Sequence, residues 1–154
     1  MAVSVLIVED DRNIAELLQM YLEKEGYAVT VAADGGQGLA KFRAIKPDLV
    51  LLDVTMPKMD GFGVLRVMGE QHWIEEVPVI IISAESESTL MHRAYDMGVT
   101  DYISRPFVPG IVRRRIINTI LLHTKKHQLM DVVADWFFRR EKSNEVMISI
   151  LGYA

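Results

Sequence analysis

Leu49-Val50-Leu51-Leu52 is an unbroken apolar run that stops at an acid, Asp53. A short run without alternation suits a strand covered on both faces, as in a parallel sheet with helices above and below. Val54-Thr55-Met56-Pro57-Lys58-Met59-Asp60-Gly61 follows as a loop dense in breakers. A carboxylate therefore sits where a buried strand ends. In open α/β sheets ligands bind outside the carboxyl ends of the strands. The rest of the chain matters for what it delivers to that edge.

Four more strands and their helices can be read around this one. Val3 to Val8 is rich in β-branched residues and runs into Glu9-Asp10-Asp11, where Asp10 or Asp11 caps a helix carrying Ile14, Leu17, Leu18, Tyr21 and Leu22 up to Gly26. Ala28 to Ala32 reads as a second, weaker strand. Asp34 then caps a helix with Leu39, Phe42 and Ile45 that Pro47 closes. Gly61 opens a third helix bearing Phe62, Leu65, Val67 and Met68. Val77 to Ile82 is the most apolar strand, ending at Ser83-Ala84. A helix from about Ser86 to Met97 and a last strand, Thr100 to Ile103, precede Ser104-Arg105-Pro106. The alternation βαβαβαβαβ marks an α/β doubly wound sheet of five parallel strands, and right-handed crossovers bring the strand ends to one edge.

From Ile111 a helical apolar pattern runs to Arg140 with no Gly or Pro inside it: Ile111, Val112, Ile116, Ile117, Ile120, Leu121, then Leu129, Val132, Val133, Trp136 and Phe137. Such a helix overruns a compact domain. A second copy of the chain is the simplest cover for its far half. Arg139 to Ser143 is a polar break, and 144–151 is a short amphipathic piece.

Among 154 residues there is no cysteine, which excludes disulfides, thiolate catalysis and zinc–thiolate sites. The net charge of −4 makes no case for nucleic acid as a direct partner. The start of the chain lacks the basic, cleavable pattern of a signal peptide, and no apolar run is long enough to span a bilayer. The expectation is a cytoplasmic chain with no membrane partner.

Four strand ends deliver polar groups to the edge: Glu9 and Asp10 from the first, Asp53 from the third, Ser83 from the fourth and Arg105 from the fifth. A single acid in such a place would read as a helix cap or a solvated turn. Several carboxylates crowded together repel, and a hard cation such as Mg²⁺, which takes carboxylate and phosphate oxygens, relieves that. Asp10 and Asp53 are expected as direct ligands, Glu9 as one acting through water, and the Thr55 carbonyl as another. A carboxylate on a metal, beside a hydroxyl and a fixed cation, suits phosphoryl transfer. Asp53 is the nucleophile in this reading, Mg²⁺ and Arg105 neutralise the phosphoryl oxygens, and Ser83 donates a hydrogen bond to one of them.

These stretches, taken with Asp101-Tyr102-Ile103-Ser104-Arg105-Pro106-Phe107, resemble the receiver domain of two-component response regulators over about residues 3–122. The resemblance implies a flavodoxin-like sheet in the order 2-1-3-4-5 with an extended C-terminal helix. It implies phosphorylation of Asp53 by a phosphohistidine on a sensor histidine kinase or phosphotransfer protein, with Mg²⁺ near Glu9, Asp10, Asp53 and the Thr55 carbonyl. It implies a switch in which Ser83 moves toward the phosphoryl group and Tyr102 turns inward, and a cis peptide before Pro106. One position departs from the family pattern, which has lysine where this chain has Arg105. Arginine keeps the charge but is longer and planar, so the exchange is not neutral.

The expected organisation is a receiver domain over 1–122 and a helical linker or dimerisation segment over 123–154. The chain is expected to be a fragment leading to an output domain beyond residue 154, since Arg140 to Val146 faintly resembles the lead-in to phosphodiesterase domains of the HD type. Homodimers through 100–140 are expected. Two other functions compete: an inert, receiver-like dimerisation module, and a metal-dependent phosphatase with an Asp nucleophile. The second usually needs an acid two residues after the nucleophile, where this chain has Thr55. Among the remaining motifs, Gly35-Gly36-Gln37-Gly38 lacks the spacing of a phosphate loop and reads as a helix entry. His123 and His127 lack a third metal ligand. His72 and His92 read as solvated, Trp73 as loop surface, Arg113-Arg114-Arg115 as a solvated or salt-bridged face and Trp136-Phe137-Phe138 as helix packing.

Overall fold

In a computed structural model that describes residues 2–54, 60–83 and 88–140, the apolar runs become strands β1 (Ser4–Val8), β2 (Ala28–Ala32), β3 (Leu49–Asp53), β4 (Val79–Ser83) and β5 (Asp101–Ser104). All pair in parallel, in the order β2-β1-β3-β4-β5, as the resemblance implied. The helices are α1 (Arg12–Lys24), α2 (Gly35–Ile45), α3 (Gly61–Glu70), α4 (Trp73–Glu76), α5 (Ser88–Asp96) and α6 (Pro109–Arg140).

The two-residue period of a strand splits the apolar runs between two cores. Leu6, Val8, Val50, Leu52, Val79 and Ile81 pack with Phe42, Phe62, Leu65, Met68 and Ala94 of α2, α3 and α5. Val5, Ile7, Leu49, Leu51, Ile80, Ile82 and Ile103 pack with Leu18 and Leu22 of α1 and Val112 and Ile116 of α6. Every residue of β3 and β4 is buried, which explains why those two sequences carry no polar alternation.

Some boundaries differ from the sequence reading. Val77 is not in β4: its N–H closes α4 on the Trp73 carbonyl at 3.0 Å, and Pro78, which has no N–H, separates it from the strand. Trp73 is not on a loop surface. It belongs to α4, a helix the periodicity did not reveal because it is a single turn, and its ring stacks on Phe42 with centroids 4.9 Å apart. The glycine run is a helix entry, with the Asp34 carboxylate accepting from the Gln37 N–H at 2.8 Å. Arg113 and Arg115 are salt-bridged, to Glu25 at 3.4 Å and to Asp101 at 2.8 Å.

Contacts divide the chain into a unit of residues 1–120 and one of residues 121–154. In the second unit, taken by itself, the helix exposes Leu122, Leu129, Val132 and Phe138 at 63%, 65%, 64% and 74%. The His123 and His127 rings lie 4.3 Å apart, tilted. The polar break and amphipathic piece after Arg140 fall outside the described residues. No helix among the described residues is long and apolar enough to cross a membrane.

One glycine ties the fold to the strand edge. A Cβ built at Gly61 would lie 2.5 Å from the Asp53 carbonyl oxygen and 2.6 Å from the Val54 Cα. Both are backbone atoms, so neither can swing aside. Gly61→Ala is expected to destabilise the protein by about 2 kcal/mol, within the range for overpacked sites, measured as a lower urea midpoint at unchanged m-value. An unchanged midpoint would show that the 53–61 approach is loose.

Candidate functional site: an acid trio at the strand edge

Each acid reaches the edge by a separate local device. The Glu9 N–H bonds to the Ala32 carbonyl at 3.0 Å, which continues the β1–β2 ladder one residue past the strand and turns the Glu9 side chain into the protein. Asp11 caps α1, accepting from the Asn13 N–H at 2.9 Å and the Ile14 N–H at 3.3 Å. That settles the choice left open between Asp10 and Asp11. Asp53 is the last residue of β3 and Asp60 caps α3, accepting from the Gly63 N–H at 2.8 Å.

Glu9, Asp10 and Asp53 each bring a carboxylate oxygen within 4.8 Å of the others. Glu9 and Asp53 are each 1% exposed, whereas Asp10 faces solvent. Burying carboxylates without compensation is costly. The compensation comes from Arg105, just after β5: its Nη2 donates to Glu9 Oε1 at 2.5 Å and lies 3.3 Å from Asp53 Oδ2. Its backbone N–H bonds to the Ser83 carbonyl at 3.1 Å, and its peptide bond to Pro106 is cis. The sequence set Arg105 against the phosphoryl oxygens. The partner it missed is Glu9, 96 positions away, which no local pattern signals.

Ser83 ends β4, buried, one residue beyond the Asp53–Ile82 register pair. Tyr102 sits in β5, partly buried, with the Arg115 guanidinium 5.3 Å from its ring centroid. Thr55 lies outside the described residues. His72 and His92 are exposed.

Burial is the main cause of a Glu9 pKa pushed up from 4.5 to about 9. The hydrogen bond and charge of Asp53 add to the rise, while Arg105 acts against it. Burial and then Asp53 raise Asp10 as well. Glu9 therefore keeps its proton well above the usual carboxylate range.

Acids at the carboxyl edge of a 2-1-3-4-5 parallel sheet define a doubly wound α/β domain with a ligand edge, and comparison with known proteins narrows the class. Residues 5–117 match the model of the response regulator receiver domain, and the chain belongs to that family. It is 41% identical over 112 residues to the transcriptional regulatory protein CseB of Streptomyces coelicolor, a match covering 73% of this chain and 47% of that one. The chain thus spans about half the length of the curated relatives it matches. Among solved structures it resembles a CheY-like receiver domain protein from Methanospirillum hungatei, with TM-score 0.76 and 27% identity over 82% of this chain and 99% of that one. It also resembles NtrX from Brucella abortus, with TM-score 0.79 and 27% identity over 86% of this chain and 30% of that one.

The raised carboxyl has a thermodynamic consequence. Between the unfolded value near 4.5 and the folded value near 9, the folded chain holds a proton that the unfolded chain releases. The stability this contributes is complete below the lower value and lost as pH rises through the upper one. Without divalent cations, wild type is expected to lose stability relative to Glu9→Gln between about pH 5 and about pH 9 in urea titrations. Parallel pH curves would refute the assignment.

Proposed function

We propose that this chain is the phosphoacceptor switch of a two-component relay, with Asp53 as the acceptor. The observation that carries this reading is the convergence of Glu9, Asp10 and Asp53 within 4.8 Å beside the Arg105 guanidinium. An Asp53 carboxylate oxygen attacks the phosphorus of a phosphohistidine on a sensor histidine kinase or phosphotransfer protein. The new O–P bond forms as the P–N bond breaks, and the imidazole nitrogen retains the electron pair and takes up a proton. Arg105 and Ser83 hold the equatorial oxygens as their charge grows.

The trio fits a hard divalent ion. All its donors are oxygens, and Glu9 Oε2 is buried with no hydrogen-bond partner among the described residues. Asp10 and Asp53 would hold Mg²⁺ directly, Glu9 through water and the Thr55 carbonyl beside them. The ion would supply charge neutralisation for the incoming phosphoryl group. Tyr102 and Ser83 form the switch pair, which carries the phosphorylated state to the β5–α6 face.

The receiver reading covers 1–122, and 123–154 is a helical linker toward an output domain beyond residue 154. The relatives support such an architecture, one being named a transcriptional regulatory protein and others a DNA-binding response regulator. The exposed apolar side chains beyond Leu121 support a homodimer through 100–140. A cytoplasmic location accompanies this role.

Incubation with a small phosphodonor and Mg²⁺ is expected to add one phosphoryl group per chain, seen by intact mass and absent in Asp53→Asn. No incorporation would favour an inert dimerisation module, and continuous phosphate release from an ester would favour a phosphatase. Light scattering is expected to show dimers whose proportion shifts with a phosphoryl mimic. A monomer at high concentration in both states would refute the dimer.

A further inference from the structure

We propose that Arg105 acts as a built-in counter-cation that competes with the divalent ion for the acid trio, so that metal loading requires the guanidinium to leave Glu9. This inference rests on the metal-binding reading given above and adds a control on it. Three observations carry it. A single nitrogen, Nη2, contacts two of the three acids, at 2.5 Å to Glu9 and 3.3 Å to Asp53. Glu9 has no solvent to replace that contact, since its side chain is fully buried. The fit is also incomplete: Arg105 Nε and Glu9 Oε2 are both buried without hydrogen-bond partners among the described residues.

An unsatisfied donor and acceptor on two partnered groups mark a contact that is strong at one point and poor at another. A bidentate arginine–carboxylate pair would use both carboxylate oxygens. Here the second oxygen of Glu9 lies outside the arginine contact. The guanidinium therefore neutralises the trio without saturating it. A divalent ion brings twice the charge and several more bonds, but it must offset the loss of the Arg105 contacts first. A lysine at this position would carry its charge on a more strongly hydrated ammonium and a shorter side chain. The arginine thus makes the metal-free state a defined one, with the guanidinium seated on the acids, rather than a vacant acidic cleft. Once the guanidinium is released, it is available for the phosphoryl oxygens, so metal loading and readiness for phosphoryl transfer are coupled through one side chain.

The test is calorimetric titration of the whole chain with Mg²⁺ at a fixed pH near 8, for wild type, Arg105→Lys and Arg105→Gln, with melting temperatures recorded without and with the ion. The expected result is tighter Mg²⁺ binding in Arg105→Gln by roughly tenfold or more, with Arg105→Lys between it and wild type. Both variants are expected to melt lower than wild type without metal and to recover more on adding it. Equal or weaker binding in both variants, with wild-type metal binding intact, would overturn the counter-cation role while leaving the metal site standing. No Mg²⁺ binding in any of the three would overturn the metal reading itself. If Arg105→Gln fails to fold without metal, the Arg105→Lys titration decides, since that variant keeps the charge.

Discussion

Two carboxylates are buried at the edge of a sheet whose strands are almost wholly apolar, and the structure must answer for their electrostatic cost. Glu9 and Asp53 are each 1% exposed, beside strands packed on both faces by Leu, Ile and Val. In so poorly polarisable a setting, an unpaired carboxylate takes a proton or finds a cation. The chain offers Arg105, just after β5, and a proton on Glu9. In the proposed reading a divalent ion would replace both.

The fold exists to hold those acids together. Parallel pairing fixes the relative height of the strand ends: Val8 beside Leu52, Asp53 beside Ile82 and Ser83 beside Ser104. Each polar residue then falls at a strand end because its own apolar run stops there. Gly61 presses the start of α3 against the Asp53 carbonyl, and Asp60 caps that helix. Asp11 takes the capping duty at α1 and leaves Asp10 for the trio. Local hydrogen bonding thereby decides which acids are structural and which remain for chemistry.

Much of this was legible from sequence. Uninterrupted apolar runs ending in acids announced buried parallel strands, and Asp34, Pro47 and Gly61 marked helix limits that the structure reproduces. What stayed hidden was tertiary. Trp73 reads as surface because α4 is a single turn with no period, and only the stacked Phe42 ring shows why it is half-buried. The Glu9–Arg105 pair joins residues 96 positions apart, so neither flank predicts it. Gly61 reads as a helix start, whereas its lack of a side chain is required by backbone atoms eight residues earlier.

The central claim is that acids from β1 and β3 meet around one cation so that Asp53 can carry a phosphoryl group. It is tested most directly by a crystal structure of this chain with Mg²⁺ and a phosphoryl mimic bound. The account requires the metal between Asp10 and Asp53, the mimic on Asp53, and the Arg105 guanidinium withdrawn from Glu9 toward the mimic. Density for neither at the trio, with Arg105 still on Glu9, would contradict it.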